Sequence, residues 1–189
     1  MINNILYYIK ADLYRYAGEI SLKKFFKHYY ISEGFRFSIW LRICYFLRKK
    51  RVTKYTLFPF AVLMYRHYKY KFGYDVPYAV EIGPGLLLFH INGIVFSPKV
   101  AGKNVTLSQC TTVGMTIKNG KKEYPVIGDN VYLAPGSKVI GGITIGNNVA
   151  VGTNSVLNKS VGNNAVVVGI PGNVVSYKGA GLYVNNPIG

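Results

Sequence analysis

The sequence predicts a mainly β fold, a coiled parallel β-helix, carried behind an N-terminal α-helical region. From Ile82 to about Val175, apolar residues open successive hexads at Ile82, Leu88, Ala101, Leu107, Val113, Ile127, Leu133, Val139, Ile145, Val151 and Leu157. Many are followed at once by a small residue, as in Ile82-Gly83, Ala101-Gly102, Ile127-Gly128 and Ile145-Gly146. Neither the period of a helix, about 3.6, nor that of a strand, about 2, yields six. One flat side of a three-sided coil does. The apolar residue points inward, the small one lets the chain turn, and residues about 18 apart stack at the spacing of paired strands. A third observation sets the first part of the chain apart. Residues 1–75 hold 15 Lys and Arg against 4 Asp and Glu, a net +11 of the total +16, and 13 of the 17 tyrosines precede residue 79.

Residues 1–74 form the helical region. Ser21 caps a short helix through His28. A longer amphipathic helix runs from Glu33 to Lys50, where Phe37, Leu41, Cys44, Phe46 and Leu47 alternate with Arg36, Arg42 and Arg48 at helical spacing. Arg48-Lys49-Lys50-Arg51 reads as a basic connector, and Pro59 to Lys71 as a helix with its proline in the first turn. Gly73 to Pro77 breaks the pattern. Residues 75–178 form the coils, and 179–189 a tail that is irregular or pairs with a neighbouring subunit. The period slips three times within the coils. Extra residues surround His90-Ile91-Asn92-Gly93, the side from Phe96 to Ala101 is short, and about eight residues around Asn119 to Pro125 leave the coil as a loop. Such departures are where binding concentrates.

At 189 residues, half of them apolar or aromatic, the chain can bury a substantial core, and disorder is excluded. Cys44 and Cys110 lack metal or redox spacing and read as small apolar residues. The N-terminus lacks the order of segments that marks a signal peptide. The run from Leu57 to Tyr65, broken by Pro59, falls well short of the roughly 20 residues a membrane span needs. A cytoplasmic protein is expected, with the basic region drawn to an anionic partner. The inner face of the membrane is the companion expectation. No nucleic-acid motif accompanies the charge, so a basic nucleic-acid-binding β-helix is the reading from another class, and no nucleic-acid partner is expected.

One histidine, His90, lies in the coils, inside the bulge. A neutral imidazole can take a proton from a hydroxyl, and does so best when a carboxylate holds its other nitrogen. Asp75, fifteen residues upstream, could stand on an adjacent rung; Glu81 competes for that role. A three-histidine zinc site is excluded and no metal is required. Neither cysteine sits as a nucleophile beside His90, so direct transfer is favoured over a covalent intermediate.

The run from Asp75 through Glu81-Ile82-Gly83-Pro84-Gly85 to His90-Ile91-Asn92-Gly93, then Asn104-Val105-Thr106-Leu107-Ser108-Gln109-Cys110, resembles the serine acetyltransferase group of hexapeptide-repeat acyltransferases. Gly169-Ile170-Pro171-Gly172 resembles that group's closing turn, and the likeness is strongest to its branch in bacterial capsule, exopolysaccharide and lipopolysaccharide clusters. The resemblance implies a left-handed β-helix, a homotrimer, and acetyl-CoA held between neighbouring subunits. It pairs His90 with Asp75 as catalytic residues. By analogy it brings Gly114, Pro135, Gly141, Gly142, Thr153, Lys159, Gly169 and Pro171 to the acetyl-CoA groove. Two departures bear on the acceptor. Phe89 stands where the group has an Asp before its catalytic His, and Glu123-Tyr124-Pro125 stands where it has an Arg-His pair. A site without partners for a charged amino acid rejects it. The expected acceptor is therefore a sugar hydroxyl of a nucleotide sugar, a lipid-linked repeat or a finished polymer in surface-polysaccharide biosynthesis. Asn92 and Tyr124 would contact it. The alternative is a serine O-acetyltransferase of cysteine biosynthesis.

Overall fold

The computed structural model describes residues 2–189, with side chains described from Asn4 onward, so Met1 of the predicted helical region lies outside the described residues. Five helices come first: α1 (Ile2–Ala17), α2 (Leu22–Ile31), α3 (Glu33–Leu47), α4 (Arg51–Thr56) and α5 (Phe58–Phe72). Ser21 caps α2 as expected, its hydroxyl accepting from Lys24 N at 3.2 Å. Pro59 sits in the first turn of α5, and Gly73, left-handed at φ 66°, ends it. The basic connector is only partly a connector, because Arg51 opens α4. The helix α3 is not amphipathic. It is buried on nearly every side, Arg42 included, because α1, α2 and α5 pack around it.

The rest is a left-handed parallel β-helix with three flat faces. Face one carries Tyr74–Asp75, Ile94–Phe96, Thr112–Gly114, Lys138–Ile140 and Val156–Leu157. Face two carries Glu81–Ile82, Val100–Ala101, Val126–Ile127 and Thr144–Ile145. Face three carries Leu87–Leu88, Thr106–Leu107, Tyr132–Leu133, Ala150–Val151 and Val166–Val168, closed by the antiparallel Asn173–Ser176. The inward residues of the repeat stack in register: Phe96 on Val113 on Val139 on Leu157, and Leu88 on Leu107 on Leu133 on Val151. All eight are at most 2% exposed, and they fill the prism.

The corner between faces two and three shows how the sequence turns. Asn104, Asn130, Asn148 and Asn164 all take φ between 54° and 62°, the left-handed region asparagine tolerates best among residues with a Cβ. Their amides join along the column, Asn104 Nδ2 to Asn130 Oδ1 at 2.8 Å and Asn148 Nδ2 to Asn164 Oδ1 at 2.6 Å. The predicted loop leaving the coil is a hairpin, Thr116–Lys118 against Lys121–Glu123. The tail forms no helix or strand, as expected of an irregular segment, and it packs on its own chain. It runs back along the asparagine column, with Gly179 N donating to Asn164 O and Ile188 N to Asn104 Oδ1, and ends against α1 through Arg15 Nε to Asn185 O at 2.6 Å.

The helical region is locked to the first coil by a buried ion pair. Asp12 is fully buried and Arg42 is 2% exposed; the guanidinium donates to the carboxylate at 2.9 and 3.0 Å and to the carbonyls of Ile82 and Gly83. The same carboxylate accepts from Gly85 N and Leu86 N. Every polar atom of the pair is thus matched, which a buried charge requires.

Candidate active site

The corner between faces three and one carries His90. The bulge is pinned at both ends by backbone bonds, Phe89 N to Leu107 O at 2.8 Å and Asn92 N to Phe72 O at 2.8 Å. Between them His90 (φ 58°), Asn92 (φ 76°) and Gly93 (φ 75°) all take left-handed backbone, a conformation that costs energy and must be held from outside. The first strand of face one and helix α1 supply that hold. Buried Tyr74 donates its hydroxyl to His90 O at 2.9 Å. Tyr16 Oη accepts from Leu88 N at 2.9 Å and donates to Leu88 O at 3.3 Å, one strand residue before the bulge. Burial pushes both phenols well above their ordinary pKa, so each stays a protonated donor; the charge of Glu33 adds to the shift at Tyr74. Gly34 lets α3 approach this closely, since a Cβ there would lie 2.8 Å from Leu88 Cβ and nearer still to the Leu88 carbonyl.

The imidazole of His90 is exposed and, among the described residues, makes no hydrogen bond. It lines a cleft of about 230 Å³ with His28, Ser32, Glu33, Tyr74 and Phe89. Glu33, the first residue of α3, lines the same cleft, and its charge is felt at Tyr74. His28 donates or accepts at Ser32 Oγ, 2.9 Å away, and its pKa is lowered by burial first and by Lys27 and Lys24 second, which keeps it neutral. The Phe89 ring stands beside His90, 6.3 Å between centroids.

The structure does not bring Asp75 to His90. Its carboxylate is ion-paired with Lys69 Nζ at 2.6 Å and faces a separate hollow with Tyr65, Tyr70 and Tyr78. The backbone placement agrees with the expectation of an adjacent rung, because Asp75 pairs with Val95 just past the bulge, but the side chain turns toward α5. Glu81 is farther off, on face two beside Val100.

The positions expected at the acetyl-CoA groove fall into two rows flanking face one. Pro135, Thr153, Gly169 and Pro171 lie in the corner before it, in the same column as His90. The corner ladder joins Asn92 O to Cys110 N, Gln109 O to Gly136 N and Pro135 O to Asn154 N. Gly114, Gly141, Gly142 and Lys159 lie after it, with Gly141 N bonded to Gly114 O. Asn92 is in the bulge as expected. Tyr124 is not near His90 within one chain; it shares a hollow with Lys99, Lys122 and Gly142 at the hairpin. Of the two cysteines only Cys44 is buried, its thiol pushed up to about 12 by burial, while Cys110 is exposed at the corner one rung from the bulge. Among the described residues no cluster of metal-ligating side chains occurs, and no helix is long and apolar enough to cross a membrane.

Comparison with known proteins finds the same repeat and the same fold. The family model for "Bacterial transferase hexapeptide (six repeats)" matches residues 124–159. Serine acetyltransferase of Staphylococcus epidermidis is 43% identical over 108 residues, 57% of this chain and 51% of the relative. The structure of Neisseria gonorrhoeae serine acetyltransferase in complex with serine superposes with a TM-score of 0.72 at 25% identity, covering 92% of this chain and 70% of that one.

The chain resembles serine acetyltransferases in sequence and in fold.

A serine acetyltransferase in complex with CoA shares the fold at a TM-score of 0.71 and 22% identity, covering 92% of this chain and 70% of that one. The serine acetyltransferase-like chain spans about half the length of the curated relatives it matches. These findings correct the expected acceptor. The relatives and solved structures matched are serine acetyltransferases, so the sugar hydroxyl of a capsule, exopolysaccharide or lipopolysaccharide gives way to the alternative, as do the carbohydrate partners. The expectation rested on two departures, Phe89 and the Glu123-Tyr124 segment. It left uncounted a carboxylate that the helical region delivers to the cleft. Glu33 was legible only as a helix-opening acid, and nothing in its local pattern ties it to His90, fifty-seven residues on.

Proposed function

We propose that this chain is an acetyl-CoA-dependent O-acetyltransferase whose acceptor is the hydroxyl of serine. The observation that carries the reading is the cleft lined by both His90 and Glu33, with His90 in the corner column that continues through Pro135 and Thr153. At neutral pH an exposed imidazole accepts the proton of the serine hydroxyl as its oxygen attacks the thioester carbonyl. The new ester C–O bond forms, the C–S bond breaks, and the proton on His90 returns to the departing thiolate. The products are O-acetylserine and CoA. Glu33 pairs with the acceptor's ammonium, which answers the cost of desolvating that charge. Asp75, the carboxylate that the resemblance pairs with His90, reaches it only on leaving Lys69.

A cleft of about 230 Å³ suits an amino acid and is smaller than the sites that bury a drug-sized ligand. The donor therefore lies outside it along the corner column, with Gly114, Gly141, Gly142 and Lys159 across face one. A second wall must come from another copy of the chain, in keeping with a homotrimer in the cytoplasm. The chemistry uses no metal.

The test is acetyl transfer by the purified full chain with acetyl-CoA and L-serine, read by mass spectrometry of the product. Serine-dependent appearance of O-acetylserine with matching CoA release supports the reading. Thioester hydrolysis without serine dependence sinks it.

A further inference from the structure

From Gly34 to Tyr74 the chain contains no Asp or Glu, while Lys49, Lys50, Arg51 and Lys54 lie on or beside α4 and Arg66 lies midway along α5. Among the described residues none of these five has an acidic partner. Lys49 rests on the Tyr45 ring and Lys54 beside the Tyr55 ring, cation–π contacts that leave both ammonium groups facing water. Interleaved with them is an apolar surface that the fold does not bury. Val52, Tyr55, Leu57, Phe60 and Leu63 are each between 59% and 75% exposed. On α5 the exposed side is a stripe, Phe60, Leu63, His67 and Tyr70 at helical spacing, while Ala61 and Tyr65 turn inward to the core. Scattered exposed apolar residues are ordinary, but five large ones within residues 52–63, accompanied by five cations without an acidic partner, are not.

We propose that this α4–α5 surface docks on an anionic lipid bilayer, with Leu57, Phe60 and Leu63 entering the headgroup boundary and Lys50, Arg51, Lys54 and Arg66 meeting the phosphates. Charge complementarity selects this occupant. A second copy would set five cations against five more, with no acid in the segment to offset them. A nucleic-acid backbone would satisfy the cations but offers nothing to Val52, Leu57 and Leu63, which cannot stack on bases. A surface that is negative outside and apolar a few ångströms in satisfies both sets. Among the described residues no helix is long and apolar enough to span, so the attachment proposed is peripheral and reversible. The surface includes neither His90 nor Glu33, so the inference stands or falls apart from the proposed chemistry.

The chain carries its own reporter. Trp40 is its single tryptophan, and its indole packs edge-on against the Phe60 ring at 6.0 Å between centroids. The experiment adds vesicles of phosphatidylcholine alone, or of phosphatidylcholine and phosphatidylglycerol in equal parts, to the full chain. Sedimentation and Trp40 emission are followed together. Partition into the anionic vesicles only, a blue shift of Trp40, and release as salt rises from roughly 0.05 to 0.5 M are expected. Arg51→Gln with Lys54→Gln should weaken partition about 25-fold, roughly fivefold for each charge removed. Leu57→Ser with Leu63→Ser should weaken it about tenfold or more without altering acetyl transfer in solution. Equal binding to both vesicles, no binding, or sedimentation with Trp40 emission unmoved would each overturn the assignment. So would a change in subunit number of the Leu57→Ser, Leu63→Ser protein on size exclusion, which would mark the face as a contact between copies. The lipid and salt dependence of the unaltered chain decides the matter if that variant fails to fold.

Discussion

Replacing Asp12 with Ala should loosen the junction between the helices and the first coil, and the size of the effect follows from what the carboxylate holds. It accepts four N–H groups: Arg42 Nε at 2.9 Å, Arg42 Nη2 at 3.0 Å, Gly85 N at 3.0 Å and Leu86 N at 2.8 Å. Its removal leaves a guanidinium that is 2% exposed without a counter-charge, together with two buried backbone donors. Breaking a buried pair in this way costs about 3–5 kcal/mol. Arg42 keeps its bonds to Ile82 O and Gly83 O, which places the expected loss near the lower end, about 3 kcal/mol. With a urea slope of about 2 kcal/mol/M, the midpoint should fall by roughly 1.5 M. The assay is urea titration followed by far-ultraviolet circular dichroism at one fixed protein concentration. Asp12→Leu combined with Arg42→Met should recover part of the loss, because no charge is then stranded. Recovery stays partial, since Gly85 N and Leu86 N remain unmatched. A midpoint shift under about 0.5 M for Asp12→Ala would refute the view that this pair fastens the two parts. Because α1 also carries Tyr16, which clamps Leu88 beside the bulge, turnover should fall before global unfolding does.

Three further outcomes bear on the site. Glu33→Gln should raise the KM for serine about tenfold or more and leave the KM for acetyl-CoA unchanged, as expected for a group that meets only the acceptor's charge; equal effects on both substrates would remove it from that role. Asp75→Asn should lower kcat by no more than about tenfold, since its carboxylate faces Lys69, and a loss near a thousandfold would show that it swings to His90 in the reacting state. At neutral pH a maleimide should label one thiol per chain, Cys110, and inhibit, because Cys44 is buried with its thiol pushed up to about 12. Cys110→Ser should be active and protected; labelling of both thiols, or inhibition that persists in that variant, would contradict this.

The coils were legible because their signal is periodic and local. Each inward residue named from the hexads is buried, and the two insertions that break the count became the bulge and the hairpin. The asparagine column was written in Lys103-Asn104, Asp129-Asn130, Asn147-Asn148 and Asn163-Asn164, yet attention to glycine alone passed over it. The helical region was harder. The alternation of Arg36, Arg42 and Arg48 with apolar residues suggested a solvated face. Arg42 is instead buried, because its partner Asp12 lies thirty residues away and no periodicity encodes such a pairing. The same blindness to long-range contacts explains the site. His90 was identifiable from its place in an insertion, and Asp75 was placed on the right rung. Which way its side chain turns depends on Lys69 of α5, and which carboxylate enters the cleft depends on how α3 docks against Leu88. The acceptor was misread for that reason: absence of expected residues at two positions was weighed without the groups a distant helix supplies.

The most direct test replaces His90 with Ala and compares serine-dependent CoA release with that of the unaltered chain, subunit number and melting profile being checked alongside. A fall of about a hundredfold to ten-thousandfold with the assembly intact is expected of a lost general base. Undiminished release would leave the cleft without its chemistry.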